Sequence, residues 1–480
     1  MRLLALGAVL VLWPTAVLAD DYNQENFRYG DEALGTGGAF IARPTTPMAT
    51  YYNPAGLAFQ TRSAVSGSIH FLGRERFVLR DGLRSEGQVP KDLISEADVA
   101  LPSSSVVTLR IDKQHRVAFS TYLKTSTNQR FQNAFRPNFT DDNGVEHDSL
   151  MALNRTVQDR ETWLGPSYAF ALHDRFGFGI SLFYARRSTY RRTQTRLQDE
   201  RIFINAPDQV VFYDSQVTTQ VRDGRLLLRM GLSYQPSQRT ALGLVVTSPS
   251  IRLHGEARLA VTELWSGDPE TVDANAVAAD DFARKTGAQT ASPWGLSLGW
   301  QYTLPNRFRV AIATDVWAPI NYRRMNLTDA DDEEVALVRE QLAVNVHRDW
   351  LINAKVGLEL LIVNAMPIRM GAYTNRSAAR TVPAASTRYV APKVDTYGGA
   401  LSLGYKRNGT GIFFGVNYEK GFGHDTVEAD ILESYADAPR VRVERQRSQL
   451  LFFVAGALSF ASKTAQRMLD KRNAQSKDAE

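Results

Sequence analysis

Fourteen stretches of this chain alternate between apolar and polar residues with the two-residue period of a β-strand. Long polar segments and very short connections separate these stretches in turn, as in a membrane barrel with long loops at one end and tight turns at the other. Most stretches reach the roughly 9 to 11 residues that a tilted strand needs to cross a bilayer. The predicted strands are 63–72, 103–112, 115–125, 161–173, 176–187, 225–236, 239–254, 291–303, 307–324, 349–363, 366–374, 395–407, 410–423 and 447–461.

Six of the connections are hairpin-sized, and every other connection is expected to run to twenty residues or more. The pattern therefore predicts an all-β fold, a 14-stranded antiparallel transmembrane β-barrel. Because the strand number is even, both chain ends fall on the short-turn side. The short connections are 112–115, 173–175, 236–239, 304–307, 363–366 and 407–410.

The two faces of each predicted strand differ in polarity. Strand 176–187 has Phe176, Phe178 and Leu182 on one face and glycine or serine on the other, and strands 291–303 and 349–363 divide in the same way. A soluble β-sandwich, the alternative fold, would also alternate, but its dry core would not tolerate unpaired charges. Charged residues here share the face of the small residues: Arg229, Arg309, Asp315, Lys355, Glu359 and Arg369. Tyrosine and tryptophan cluster toward strand ends, as interfacial girdles do.

The first residues indicate export. Residues 1–19 combine a charged Arg2, an apolar run from Leu3 to Leu12 and a small-residue cleavage site ending at Ala19, which is typical of a signal peptide. No other stretch approaches the 18 apolar residues of a membrane helix. The net charge of +5 is modest and spread along the chain, so no nucleic-acid partner is expected.

The segment before the first strand, residues 20–62, is predicted to be a hatch inside the barrel. About eight strands fill a barrel with their own side chains and about sixteen leave an aqueous channel, so fourteen leave space. The segment is rich in small and apolar residues and has no clear strand. Asn53 is a favoured helix cap and Pro54 suits the first helical position, and Thr46 with Pro47 repeats the pairing. The barrel would then span 63–461, followed by a charged periplasmic tail at 462–480.

The hatch sequence YGDEALGTGGAFIARPTTPMATYYNPAGLA, together with the signal peptide and the strand layout, resembles the FadL/TodX family of outer-membrane transporters for long-chain fatty acids and aromatic hydrocarbons. The family's Asn-Pro-Ala motif falls on Asn53, Pro54 and Ala55. The resemblance implies that a hydrophobic ligand enters from outside, binds in the lumen and leaves sideways at a kinked third strand. Here that strand, Arg116 to Thr125, has no proline or glycine. Family barrels usually end at a terminal aromatic residue, whereas Phe460 here precedes the charged tail.

Signals of catalysis and metal binding are weak. The run from Gly295 to Gly299 has nucleophile-elbow spacing, but it continues an alternating strand rather than a sharp strand-to-helix turn. No catalytic residue and no cofactor are predicted, and the histidines lack metal-ligand spacing. The acidic run from Asp329 to Glu334 is either a calcium-binding outer loop or the start of an amphipathic helix over the barrel mouth.

The leading functional prediction is passive transport of hydrophobic compounds across the bacterial outer membrane. The alternatives are a gated porin for small polar solutes, an outer-membrane barrel enzyme, and a structural or assembly role. Expected partners are a fatty acid or hydrocarbon, outer-membrane lipids and the barrel assembly machinery, and the protein is expected to be a monomer with both termini periplasmic. The candidate ligands of a carboxylate head group are the inward-facing cations Arg229, Arg309, Lys355 and Arg369.

Overall fold

The computed structural model describes residues 22–84, 89–136, 138–140, 146–202, 209–266, 277–325, 345–363, 365–386, 390–407, 410–429 and 439–460. Two short α-helices, α1 (Asp31–Gly35) and α2 (Ala49–Tyr52), precede a 3₁₀ helix at Pro54–Phe59. The strands are β1 (Ser63–Leu83), β2 (Lys91–Arg110), β3 (His115–Phe135), β4 (Asn138–Thr140), β5 (Glu146–His173), β6 (Phe176–Ile202), β7 (Gln209–Tyr234), β8 (Thr240–Thr247), β9 (Ile251–Ser266), β10 (Val277–Gly287), β11 (Gly295–Leu304), β12 (Phe308–Trp317), β13 (Ile320–Arg323), β14 (Asn345–Arg348), β15 (Leu351–Val363), β16 (Met366–Asn375), β17 (Ala385–Ser386), β18 (Lys393–Arg407), β19 (Thr410–Glu428) and β20 (Arg440–Phe460).

These strands form a closed antiparallel barrel of fourteen passes, which confirms the predicted fold class. The ring closes where β1 pairs with β20, from Ser63 opposite Phe460 to Leu79 opposite Arg445. Four passes are each made of two strands: β8 with β9, β10 with β11, β12 with β13, and β14 with β15. The short strands β4 and β17 pair along neighbouring passes without adding one.

The strand ends at the short turns agree closely with the prediction, whereas many of the opposite ends, mainly in the first half of the barrel, were predicted too short. Strands β5, β6 and β7 extend to residues 146, 202 and 209, far beyond the predicted limits of 161, 187 and 225. Much of the predicted loops 126–160 and 188–224 is therefore strand. Both faces of these extensions carry polar residues such as Thr, Arg and Gln, so the apolar alternation disappears although the backbone ladder continues. The stretch predicted as one strand at 239–254 is interrupted between β8 and β9.

An apolar belt surrounds the outside of the barrel with the predicted parity. Phe178 and Leu182 are exposed, whereas the alternate residues Gly179 and Ser181 are buried. The same alternation holds in β11 and β15. An outward apolar band is the hallmark of a lipid-facing barrel. None of the helices in the described ranges is long and apolar enough to span a membrane.

Residues 22–62, called the plug below, lie inside the ring of strands. Their central side chains are almost wholly buried against inward-facing wall residues, among them Tyr29, Met48 and Leu57. The plug's helices are short and connected by tight turns, and Gly37 and Gly38 adopt positive φ at the end of α1. The plug and the wall therefore together supply the apolar surface that fills the lumen.

Wall glycines let the plug backbone touch the barrel. A Cβ atom on Gly371 of β16 would collide with the plug backbone at Thr36 and Gly37, and one on Gly179 of β6 would collide with Pro54. Gly357 of β15 lies opposite Gly371 in the neighbouring strand, and a Cβ atom on Gly357 would collide with Thr36 of the plug. Because glycine has no side chain, the plug backbone can touch the wall backbone at these positions. Any other residue would keep the two backbones apart.

The substitution Gly371→Ala should push the plug away from β16. Overpacking of this kind costs about 1–3 kcal/mol, so we expect a folded barrel with a loosened plug and a higher ion conductance in planar bilayers. Gly399→Ala on the adjacent strand is the matched control, because its added Cβ would lie 3.7 Å from the nearest atom, the Gly371 carbonyl oxygen. Equal conductance of the two variants would contradict the close-contact interpretation.

Candidate functional site

One side of the lumen, called the apolar half below, is filled mainly by apolar side chains next to the plug, although a buried ion network of Arg187, Glu161, Arg225 and Asp223 lies farther from the short turns on the same strands. Plug residues and inward-facing residues, most of them from β2, β3, β5, β6, β7 and β8, form a single buried cluster, to which Ala313 of β12 and Leu451 of β20 also belong. Its aromatic rings touch: the Tyr51 and Tyr122 ring centroids are 5.1 Å apart and those of Trp163 and Phe183 are 5.6 Å apart. The cluster's main members are Tyr29, Phe40, Met48, Tyr51, Tyr52, Val106, Tyr122, Trp163, Phe183, Leu227 and Val245.

The opposite half of the lumen is ionic. Arg309 of β12 lies 2.8 Å from the plug carboxylate of Glu32 and 2.9 Å from Glu359 of β15. Lys406 of β18 is 2.7 Å from Glu32 as well. Arg369 of β16 pairs with Glu359 and donates to the backbone oxygen of the plug residue Asp31 at 3.1 Å. These contacts fasten helix α1 to three separate wall strands.

Glu32 is the centre of this clamp. Burial raises the pKa of its carboxyl, but the neighbouring Arg309, Lys406 and Arg369 together hold this pKa well below its usual range. The carboxylate is therefore charged at neutral pH. A second plug carboxylate, Glu25, pairs with Lys355 of β15 in the same half of the lumen.

The four predicted carboxylate-binding cations thus fall into two groups. Arg309, Lys355 and Arg369 all have acidic partners, and Lys355 is also 2.7 Å from Asp315. Arg229 of β7 stands apart from them because it lies in the apolar half. The acidic partners were missed because a strand pattern cannot show which plug residues meet the wall.

Arg229 is a buried cation without an acidic partner in the described part of the chain. Its exposed fraction is 4%, its Nε atom has no hydrogen-bond partner, and its guanidinium carbon lies 4.8 Å from the centre of the Tyr51 ring. The ring offers a cation–π contact but no countercharge. Because burial of an unpaired charge is costly, an anion beside Arg229 would be strongly favoured.

The predicted Asn53 cap is accompanied by contacts that the sequence did not indicate. The Asn53 Oδ1 atom accepts from the backbone N–H of Ala55 at 3.1 Å at the start of the 3₁₀ helix. Its Nδ2 atom donates to the Ile41 oxygen at 2.8 Å and to the Leu232 oxygen of β7 at 3.0 Å. Asn53 therefore joins the plug helix to the wall. Thr46, expected to act similarly, makes no side-chain cap.

The backbone ladder between two strands of the barrel wall is interrupted beside the apolar half, and this interruption is called the break in the wall below. The ladder between β2 and β3 runs only from Ser104 opposite Tyr122 to Arg110 opposite Arg116. Farther from the short turns, the described residues of β3 continue their ladder with β5 alone. That second ladder has an irregularity at Lys124, where one residue of β3 is left without a partner.

The plug covers this break. The Tyr29 hydroxyl donates to the Leu123 oxygen at 2.9 Å, and Asn26 donates to the Thr125 hydroxyl at 3.2 Å. The Lys124 ammonium turns inward and donates to the Tyr51 hydroxyl at 2.9 Å. A third-strand irregularity thus exists without proline or glycine. Along β3 the buried, inward-facing residues have even numbers up to Tyr122 and odd numbers beyond Lys124.

Other candidate features have ordinary positions or are not described. The run Gly295–Gly299 lies within strand β11 and makes no strand-to-helix turn. The acidic run from Asp329 to Glu334, the signal segment and the C-terminal tail lie outside the described residues.

No protein-family model matches this chain, and neither does any curated protein. Solved structures do resemble it. A Pseudomonas aeruginosa FadL homologue aligns with a TM-score of 0.56 at 12% identity, covering 93% of this chain and 100% of that one. The Pseudomonas putida toluene transporter TodX aligns with a TM-score of 0.50 at 13% identity, covering 90% and 99%. At such identities the similarity establishes a common barrel fold.

The ionic clamp predicts a strong effect of Glu32→Gln. Removing one partner of a buried ion pair typically costs about 3–5 kcal/mol, so the plug should loosen and ion conductance should rise while the barrel still folds. Glu96→Gln is a suitable control, because Glu96 pairs with Arg74 and Arg76 in an exposed position, where such pairs contribute about 1 kcal/mol or less. An unchanged conductance of Glu32→Gln would refute the clamp.

Proposed function

We propose that this chain carries hydrophobic compounds passively across the bacterial outer membrane. The observation that carries the proposal is the division of the lumen, in which an aromatic half adjoins a break in the wall while an ionic half holds the plug. An apolar solute is accommodated by dispersion contacts with aromatic side chains, which no water-filled channel supplies. The toluene transporter TodX, a neighbour in fold, supports the same class of activity.

Lateral exit between β2 and β3 is part of this proposal. In the apolar half, the break at Tyr122 lies next to the plug rings of Tyr29 and Tyr51. A solute moving through this half would reach the membrane interior without crossing the ionic half. The side chains of Tyr29 and Asn26 cover the route, so their displacement would open it.

The substrate class we favour is a long-chain carboxylic acid. Arg229 supplies a buried positive charge inside the aromatic half, and a carboxylate would provide its missing countercharge. The alkyl chain would then contact the surrounding rings. We propose that Arg309, Lys355 and Arg369, which already pair with acids, retain the plug instead of binding ligand.

A gated porin for small polar solutes is the second candidate. The inward cations of β12, β15 and β16 favour it at first sight, but they are paired with carboxylates. Low ion conductance of the intact protein would support the transporter, and high conductance would support the porin. We further propose a monomer, inserted by the barrel assembly machinery, with both termini periplasmic.

Arg229→Met should separate ligand binding from folding. Replacing an unpaired buried charge by an apolar side chain should leave the melting temperature unchanged or raise it, because the desolvation cost disappears. Loss of a charge-assisted hydrogen bond, about 1.5–3 kcal/mol, should weaken binding of palmitate tenfold or more. Binding of toluene should be unaffected.

Arg309→Met is the control for that experiment. It removes a paired cation, so it should destabilise the plug without abolishing the preference for a carboxylate. If Arg229→Met bound palmitate as tightly as the unsubstituted protein, Arg229 would have no role in ligand recognition.

Deletion of Lys124 tests the exit route. The deletion removes the unpaired residue while preserving every pairing of β3 with β5, so β3 should continue its ladder with β2 and close the break. Uptake of fatty acid into cells should fall sharply at normal folded yield. Lys124→Ala keeps the extra residue and should retain most of the uptake. Full uptake by a folded deletion variant would exclude this exit.

A further inference from the structure

A polar chamber lies on the side of the plug away from the short turns. Its volume is about 170 Å³, and the plug residues Tyr22, Asn23 and Asn26 form one of its sides. The remaining lining comes largely from inward-facing residues of β3, β5, β6 and β20. Six of the lining residues are arginines and only one, Asp159, is acidic. The arginines are Arg155, Arg187, Arg191, Arg324, Arg445 and Arg447.

Three of these arginines are held in place by acids. Arg187 pairs with Asp159 and with Glu161 at 3.5 Å. Arg445 lies 2.6 Å from Asp425. Arg447 lies 2.9 Å from Glu75 and 3.2 Å from Glu419. Their guanidinium groups therefore have fixed positions around the chamber, and their charges are largely neutralised.

Arg191 is different. In the described part of the chain no acidic side chain pairs with it, and its buried Nε atom has no hydrogen-bond partner. Its side chain is half-buried and lies on the inward-facing side of β6, opposite Val157 of β5. It is one of the residues that line the chamber. The chamber thus contains a positive charge that has no acidic partner among the described residues.

We propose that this chamber is a binding site for an oxyanion, such as a sulfate, sulfonate or phosphate group, with Arg191 as its principal donor. A guanidinium presents paired N–H donors in a planar fork that matches such oxygens. The volume of about 170 Å³ is below the roughly 300–1,000 Å³ of pockets that enclose whole organic ligands, so the chamber suits a charged group rather than an alkyl chain.

This site is separate from the one proposed around Arg229. Ser181 of β6 pairs with Arg229, and Arg191 follows ten residues later on the same strand. At about 3.3 Å per residue the separation along the strand is roughly 33 Å. The oxyanion could be a free inorganic ion or the head group of an amphiphile, and the same site chemistry serves both.

The chain contains no cysteine, so one introduced thiol can carry a fluorescent label. Asn128, which is exposed and follows the chamber-lining residue Thr127, is replaced by cysteine and labelled with bimane in the folded protein, so that the label stays outside the chamber. Inorganic sulfate, octanesulfonate and neutral octanol are titrated at constant ionic strength. We expect saturable fluorescence changes with sulfate or octanesulfonate and none with octanol.

Arg191→Gln should raise the dissociation constant about tenfold or more, as expected for loss of a hydrogen bond to a charged group. Arg192→Gln is the matched control, because Arg192 is the next residue and bonds to Gln216 on the exposed side. Arg191→Lys keeps the positive charge but lacks the planar pair of N–H donors, so its dissociation constant should lie between those of the unsubstituted protein and Arg191→Gln.

Saturation by octanesulfonate at lower concentration than sulfate would identify a head-group site, and saturation by sulfate alone would identify a free-ion site. Both results support the proposal. Identical titrations of Arg191→Gln and Arg192→Gln, or an equal response to octanol, would overturn it. Palmitate binding measured on the same Arg191→Gln protein should be retained at Arg229, so failure here is distinguishable from failure of the transport proposal.

Discussion

The width of a fourteen-stranded ring is the constraint on which the other features depend. Barrels of about eight strands are filled by their own inward side chains, whereas wider ones are not. This chain fills much of the space with its own N-terminal segment. Because that segment brings its own backbone polar groups, it must find hydrogen-bond partners inside the barrel. Asn53 meets part of that need, since it joins the plug backbone at Ile41 to the wall backbone at Leu232.

The two halves of the lumen hold the plug by different forces. Ion pairs such as Glu32 with Arg309 depend on specific partners and geometry, so they fix one side of the plug in place. Contacts among aromatic rings are numerous and individually weak, so one apolar group can replace another at small cost. The apolar half can therefore exchange a protein ring for a solute while the ionic half keeps the plug anchored. A lumen of one kind throughout would either exchange solutes poorly or anchor the plug poorly.

The sequence predicted what depends on local pattern. Strand faces, short turns and the Asn53 cap all follow from residues close together in the chain, and the structure has them. The polar extensions of β5 and β6 escaped prediction because polar residues occupy both of their faces, so the apolar alternation is lost although the strands continue. The partners of Arg309 and Arg369 also escaped it. Parity places a charge inside the barrel, but only the folded plug determines whether an acid meets it.

Closure of the ring by β1 and β20 has a consequence for biogenesis. Ser63 pairs with Phe460, so the seam joins the two ends of the barrel segment. Until the last strand has been delivered, β1 has an unpaired edge, which is a template for aggregation, and contacts so distant in sequence form slowly. The plug immediately precedes β1 and is enclosed by the finished wall. The plug must therefore be inside the ring before β1 and β20 pair, which fixes the order of these two steps in assembly.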